Sequence, residues 1–139
     1  MTRVNAGIMP EELPRKLLLA EHREIIRIPN AVSSGRAILK NLPDKFTLNK
    51  GHVRFFYKRL AYIKRRYLAI YEECRKRGYN VTDFSESFVE MPGLYNDWQE
   101  TPEARALLIE RITQRGFQLC SQIKLSQSEI ESSNSEKNA

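Results

Sequence analysis

Thr2 and Glu24 are the residues whose types and placing could do chemistry. Thr2 stands directly behind the initiator Met1, and Glu24 sits among arginines in the run Leu17-Leu18-Leu19-Ala20-Glu21-His22-Arg23-Glu24-Ile25-Ile26-Arg27. Loss of Met1, which a small second residue permits, would leave an α-amino group with an ordinary pKa near ~8, against ~10.4 for a lysine. At pH 7 roughly a tenth of such amines are neutral, and only the neutral amine attacks carbon. A chain-terminal amine is therefore a ready Schiff-base former without the burial that a lysine needs. Glu24 lies one turn from Ala20 and three residues before Arg27, so a helix would set its carboxylate beside the guanidinium groups of Arg23 and Arg27. A solvated helix face with local ion pairs has the same pattern, and at this point both readings stand.

These residues need a frame. Pro10-Glu11-Glu12-Leu13-Pro14 reads as a helix entrance, with acids at the positive helix end and proline tolerated in a first turn. The first helix is expected to run to about Ile28, with Leu18 and Ile25 on one face and Lys16, Ala20, Arg23 and Arg27 on the other. Pro29 is expected to end it. A short second helix is expected over residues 31–42, with a turn or break at Ser33-Ser34-Gly35, and residues 42–48 read as irregular. The clearest periodicity follows Asn49, a plausible N-cap: Phe56, Leu60, Ile63, Tyr67, Ile70 and Cys74 form one apolar seam of a core helix about seven turns long. Arg75-Lys76-Arg77 and then Gly78 read as its end.

Residues 79–100 show no sustained period, and Phe84, Phe88, Tyr95 and Trp98 are expected to pin them to the core, with Trp98 as a plug. Thr101-Pro102-Glu103 opens a last helix with Ala104, Leu107, Leu108 and Ile112 on its apolar face and Arg105, Arg111 and Arg115 more exposed, ended or bent by Gly116. No strand-like alternation is long enough to build a sheet. The expected fold is all-α, a compact single domain over residues 1–124 with about three main helices and long irregular connections. Residues 125–139 are Ser-, Asn- and Glu-rich and are expected to form a disordered polar tail.

At 139 residues the chain has room for one domain with a real core. Its formal charge is +6, and because the tail holds three glutamates against one lysine, the remaining body is more basic than the total. Such a body favours an anionic polymer as partner, most commonly nucleic acid. Cys74 and Cys120 have neither metal-ligand spacing nor a disulfide framework and read as core thiols of a reducing compartment. No run approaches the ~20 apolar residues of a membrane span, and no signal peptide is recognisable, so a soluble cytosolic protein is expected. No phosphate-binding loop, zinc-spaced Cys/His cluster or nucleophile elbow is present. Thr2 and Glu24 remain as the chemically specific candidates.

The spaced segments Thr2-Arg3-Val4-Asn5, Leu18-Leu19-Ala20-Glu21-His22-Arg23-Glu24, Arg27 with Asn30-Ala31-Val32, Gly51-His52-Val53 with Phe55-Phe56-Tyr57 and Leu60, Glu73-Cys74, Lys76-Arg77-Gly78-Tyr79-Asn80 and Ile112-Thr113-Gln114-Arg115 carry a resemblance. In order and spacing they resemble the pyrimidine dimer DNA glycosylase and AP lyase family, the endonuclease V-like enzymes known from phage. The resemblance covers roughly residues 2–115. It implies a bifunctional DNA-repair enzyme that excises damaged pyrimidines, UV cyclobutane dimers first among them, and nicks the strand by β-elimination.

By that resemblance the Thr2 amine attacks C1′ of the damaged nucleotide, Glu24 is the catalytic carboxylate, and Arg3, Arg23 and Arg27 bind the DNA around the lesion. Lys16, on the basic face of the first helix, and Arg111, which aligns with a basic residue of the family's last helix, join the expected DNA-binding set. The implied partner is damaged double-stranded DNA bound by a monomer, with no metal and no small-molecule cofactor. Two departures bear on lesion choice. Leu17 stands where the phage enzyme has a histidine, and Gly116-Phe117 with a polar tail replaces an aromatic-rich segment. The same mechanism acting on another lesion or on abasic sites alone, or a basic DNA-binding protein without catalysis, are the alternatives.

Overall fold

The computed structural model describes residues 2–120. Five α-helices occur in it: α1 (Arg15–Glu24), α2 (Arg27–Ser33), α3 (His52–Phe55), α4 (Leu60–Lys76) and α5 (Pro102–Gln114), with single 3-10 turns at Pro10–Glu12 and Ser85–Ser87. No strand occurs among the described residues, and the all-α fold is as expected. The expected tail, residues 125–139, lies outside them.

α4 is the element on which the others are mounted. Its seam Leu60, Ile63, Tyr67, Ile70 and Cys74 is buried, and so is Phe56 just before it. The helix begins at Leu60, however, not after Asn49. Arg59 has non-helical angles (φ −128°, ψ 45°), and the Leu60 amide turns outward to donate to Leu94 O at 3.0 Å. The stretch after Asn49 instead makes the separate one-turn α3. A seam of apolar residues thus continues past the helix that it was expected to define, because Phe56 reaches the same core from a turn.

α1 packs against α4 and buries Leu17, Leu18, Glu21 and His22. It ends at Glu24, earlier than the expected Ile28. Pro29 does not terminate it from the next position but lies in the first turn of α2. The reason is the reach of a proline: its ring crowds the carbonyl four residues back, here Ile25, and it offers no amide proton to it. The break therefore falls one turn upstream at Ile25 and Ile26, and Pro29 occupies a position where its missing donor costs nothing. α2 stops at Ser33, and Gly35 (φ +77°) turns the chain away. The helix expected to extend towards Leu42 is absent.

Residues 79–100 are irregular apart from one 3-10 turn, and aromatic side chains hold them as expected. Trp98 stacks on Phe46 (5.7 Å between centroids) and meets Phe55 and Tyr62 edge-on, while Phe88 is buried against Tyr67. The Tyr67 hydroxyl also accepts the Phe84 amide at 2.6 Å. α5 starts on a Thr101 cap whose hydroxyl oxygen accepts from the Ala104 amide at 3.1 Å. It buries Ala104, Leu108 and Ile112 but leaves Leu107 exposed, so the apolar face is narrower than expected. Cys74 is buried and Cys120 half-buried, and both are free thiols.

Candidate active site

The N-terminal segment is gripped from several sides. The Val4 amide donates to His52 Nε2 at 2.9 Å, and Asn5 Nδ2 donates to Glu21 Oε1 at 2.7 Å. The Gly7 amide donates to Glu100 Oε2 at 2.9 Å, and Arg105 Nη1 donates back to Gly7 O at 3.0 Å. Arg66 Nη1 donates to Ile8 O. Val4, Ala6 and Ile8 point into the core between these polar anchors. Helices α1, α3, α4 and α5 thereby hold one short segment, and Thr2, itself buried, stands two residues before the first of these anchors.

The anchors are themselves braced. Glu21 and Arg66 form a buried fork, Nε to Oε2 at 2.8 Å and Nη2 to Oε1 at 3.1 Å. Burial alone would lower the Arg66 pKa, but the Glu21 carboxylate holds it above the ordinary value. Glu100 takes a second bond from the Tyr62 hydroxyl at 2.8 Å. Arg105 clamps Glu12 through both nitrogens at 2.7 and 2.9 Å. Gly7 (φ +82°) is required here, since a Cβ would lie 2.9 Å from Arg105 Cβ.

Three clefts adjoin this segment. The first, of about 750 Å³, is lined by Thr2, Arg3, Lys50, His52 and Arg111 among others. The second, about 580 Å³, is lined by Thr2, Arg23, Arg27, Asn30, Arg36 and Tyr57. The third, about 650 Å³, holds Glu24 together with Arg3, Lys16, Arg111, Arg115 and Phe117. Thr2 is common to the first two, and Arg3 and Arg111 to the first and third. All seven residues singled out from sequence thus line these three clefts, Thr2 on the walls of two and Glu24 on the wall of the other. Glu24 lines the third cleft, while Arg23, the side chain before it on α1 and about 100° round the helix, lines the second with Arg27.

Charge in these clefts is overwhelmingly positive. Arg3 has its pKa lowered, first by burial and then by the neighbouring Arg111 and Arg115 cations. Glu24 touches Arg23 only at 3.8 Å, with its side chain 17% exposed and that of Arg23 66% exposed. Cations crowded this closely with one loosely paired carboxylate favour an anion of several charges. Among the described residues no three His, Cys, Asp or Glu side chains gather to hold a metal ion.

A family model described as pyrimidine dimer DNA glycosylase matches residues 1–87. The chain belongs to that family. The match contains Thr2, Arg3, Lys16, Arg23, Glu24 and Arg27, and only Arg111 of the expected set falls after it. Membership in the glycosylase family makes the chain a DNA-repair protein with damaged DNA as its ligand, and agrees with the basic clefts. Among the described residues no helix is long and apolar enough to cross a membrane.

Sequence reasoning missed several residues of the site. Arg36, Tyr57 and Phe117 line the clefts but come from loops and a turn, where no periodicity marks a face, and Arg115, read from sequence only as an exposed cation of the last helix, lines the third cleft. Arg105, expected among the more exposed cations of α5, is spent on Glu12 and Gly7 and serves the scaffold.

Proposed function

We propose that this protein is a bifunctional glycosylase and AP lyase that removes damaged pyrimidines, cyclobutane dimers first among them, through the amine of Thr2 exposed by loss of Met1. The observation that carries this reading is the gathering of Thr2, Glu24 and five cations, from three separate parts of the chain, on the walls of three clefts around the N-terminal segment.

The neutral Thr2 amine attacks C1′ of the damaged nucleotide, forming an N–C1′ bond as the glycosidic bond breaks and the base departs with its electron pair. Glu24 stabilises the positive charge that builds on the sugar and moves the protons that ring opening requires. The resulting imine acidifies the 2′ proton. Its removal expels the 3′ phosphate and cuts the strand, and water then releases the amine. Arg3, Lys16, Arg23, Arg27 and Arg111 neutralise phosphates around the lesion, contacts that position without reading sequence. Family membership supports the glycosylase part, and the cation-rich surroundings of Thr2 favour the neutral amine. The enzyme acts as a monomer.

The test is incision of matched duplexes carrying a cyclobutane dimer, an abasic site, an oxidised pyrimidine or no lesion. Cleavage of the dimer and abasic duplexes, abolished by acetylating the terminal amine, is expected. Cleavage of the abasic duplex alone would reduce the activity to a lyase, and cleavage that survives acetylation would remove Thr2 from the chemistry.

A further inference from the structure

Gly51-His52-Val53 belongs to the pattern shared with the family, yet nothing in the chemistry above uses His52. Its ring is buried on the wall of the first cleft, beside Thr2 and Arg3. One nitrogen lies 2.9 Å from the Val4 amide nitrogen, and the other 2.8 Å from Thr47 O. A backbone N–H on one side and a carbonyl on the other leave a single neutral tautomer: Nδ1–H donates to Thr47 O, and the Nε2 lone pair accepts from Val4.

We propose that His52 is the positioning residue for the Thr2 amine, its Nε2 fixing Val4 and hence the segment that presents Thr2 at the meeting of the clefts. The inference rests on the reading of Thr2 as the nucleophile.

Three features argue for it. Val4 is two residues from Thr2, so this bond holds the chain nearer the amine than the bonds that grip Asn5, Gly7 and Ile8. The ring is itself fixed by edge-on contacts with Phe46 (5.5 Å) and Phe56 (5.4 Å), so the acceptor cannot swing away. The loop carrying Thr47 can close on the ring because residue 51 is glycine, whose added Cβ would lie 3.0 Å from Pro43 Cγ and 3.1 Å from Thr47 Cγ2.

The surroundings also keep the ring neutral. Burial holds the His52 pKa down at about 4, opposed by the Thr47 carbonyl and reinforced by Arg3. The charged side chains that share the cleft wall with it are Arg3, Lys50 and Arg111, all cations, and none of them favours an imidazolium. A protonated ring would turn a second N–H towards the Val4 amide and break the bond.

Two substitutions separate this role from packing. In His52→Gln the terminal amide oxygen reaches the place of Nε2 and can accept from Val4. In His52→Asn the amide reaches only the place of Nδ1 and leaves Val4 without an acceptor. Single-turnover borohydride trapping on an abasic duplex is measured for each, with DNA affinity and melting alongside. His52→Asn should slow trapping at least about tenfold, with affinity changed less than about threefold, since misplacing a reacting group by an ångström costs up to about a hundredfold. His52→Gln should restore most of the rate. Wild-type trapping in His52→Asn, or equal slowing in both variants, would overturn the proposal.

Failure of the unsubstituted protein to trap would instead sink the nucleophile reading. Should either variant not fold, nitrogen NMR of the unsubstituted protein decides: a lone pair on Nε2 coupled to the Val4 amide is expected. A proton on Nε2 would refute the proposal.

Discussion

In the proposed mechanism Glu24 serves the reaction and the arginines around it serve binding, and substitution can separate the two. Glu24→Gln keeps size and hydrogen bonding but removes the charge that the proposed mechanism uses to stabilise the sugar. Excision should fall by about a hundredfold or more, the usual worth of a positioned acid or base, while a DNA mobility-shift titration should show binding nearly unchanged. Equal loss of both would make Glu24 a structural residue. Arg23 and Arg27, both exposed on the rim of the second cleft, should act in the opposite sense. Neutralising either one should weaken binding and reduce the slope of log K against log salt by about 0.9; an unchanged slope would remove it from the phosphate contacts. At this scale the cluster of cations that lines the clefts was legible in the sequence, because residue type announces it. His52 was not, since its work is done by one lone pair on a backbone amide 48 residues away.

Helices and turns hold these groups, and here legibility depended on how local the cause was. The seam from Leu60 to Cys74 and the Thr101-Pro102 cap could be read because each rests on neighbours a few positions apart. The start of α4 could not, since Leu60 turns its amide to Leu94, a partner without a local signal. The early end of α1 follows from Pro29 acting a full turn upstream, an effect whose distance the sequence leaves ambiguous. The N-terminal segment is the element most exposed to perturbation. Gly7→Ala would force a positive φ and a 2.9 Å approach to Arg105 Cβ, pushing α5 from the segment. We expect a loss of about 1–3 kcal/mol in urea denaturation and a larger fractional loss of excision, because the displaced segment carries Thr2. Unchanged stability would mean that α5 adjusts freely there.

The whole molecule is tied together by partners far apart in sequence, Glu21 with Arg66 and Glu12 with Arg105, which is why the scaffold's polar core could not be anticipated. Its response to pH follows from the buried histidines. His52 binds a proton in the unfolded chain near pH 6.5 and in the folded protein only near pH 4. Between those values the unfolded state holds more protons, so stability is complete above about pH 6.5 and declines as pH falls towards 4, by about 3 kcal/mol in all. His22, whose pKa is lowered chiefly by burial, adds in the same direction. The lowered carboxyl groups Asp44, Asp83 and Asp97 act in a separate window, losing their contribution only as pH falls below about 3.8. Urea midpoints from pH 7.5 to 4 should therefore drop, and drop less in His52→Gln; a flat profile would mean that His52 is not held neutral.

The central claim is that these long-range ties present one terminal amine to damaged DNA, and the most direct test is to find the covalent bond. Protein with its mature N-terminus verified is trapped with borohydride on an abasic-site duplex, digested, and the DNA-bearing peptide sequenced by mass spectrometry. The adduct is expected on the α-nitrogen of Thr2. An adduct on a lysine, or none from correctly processed protein, would contradict it.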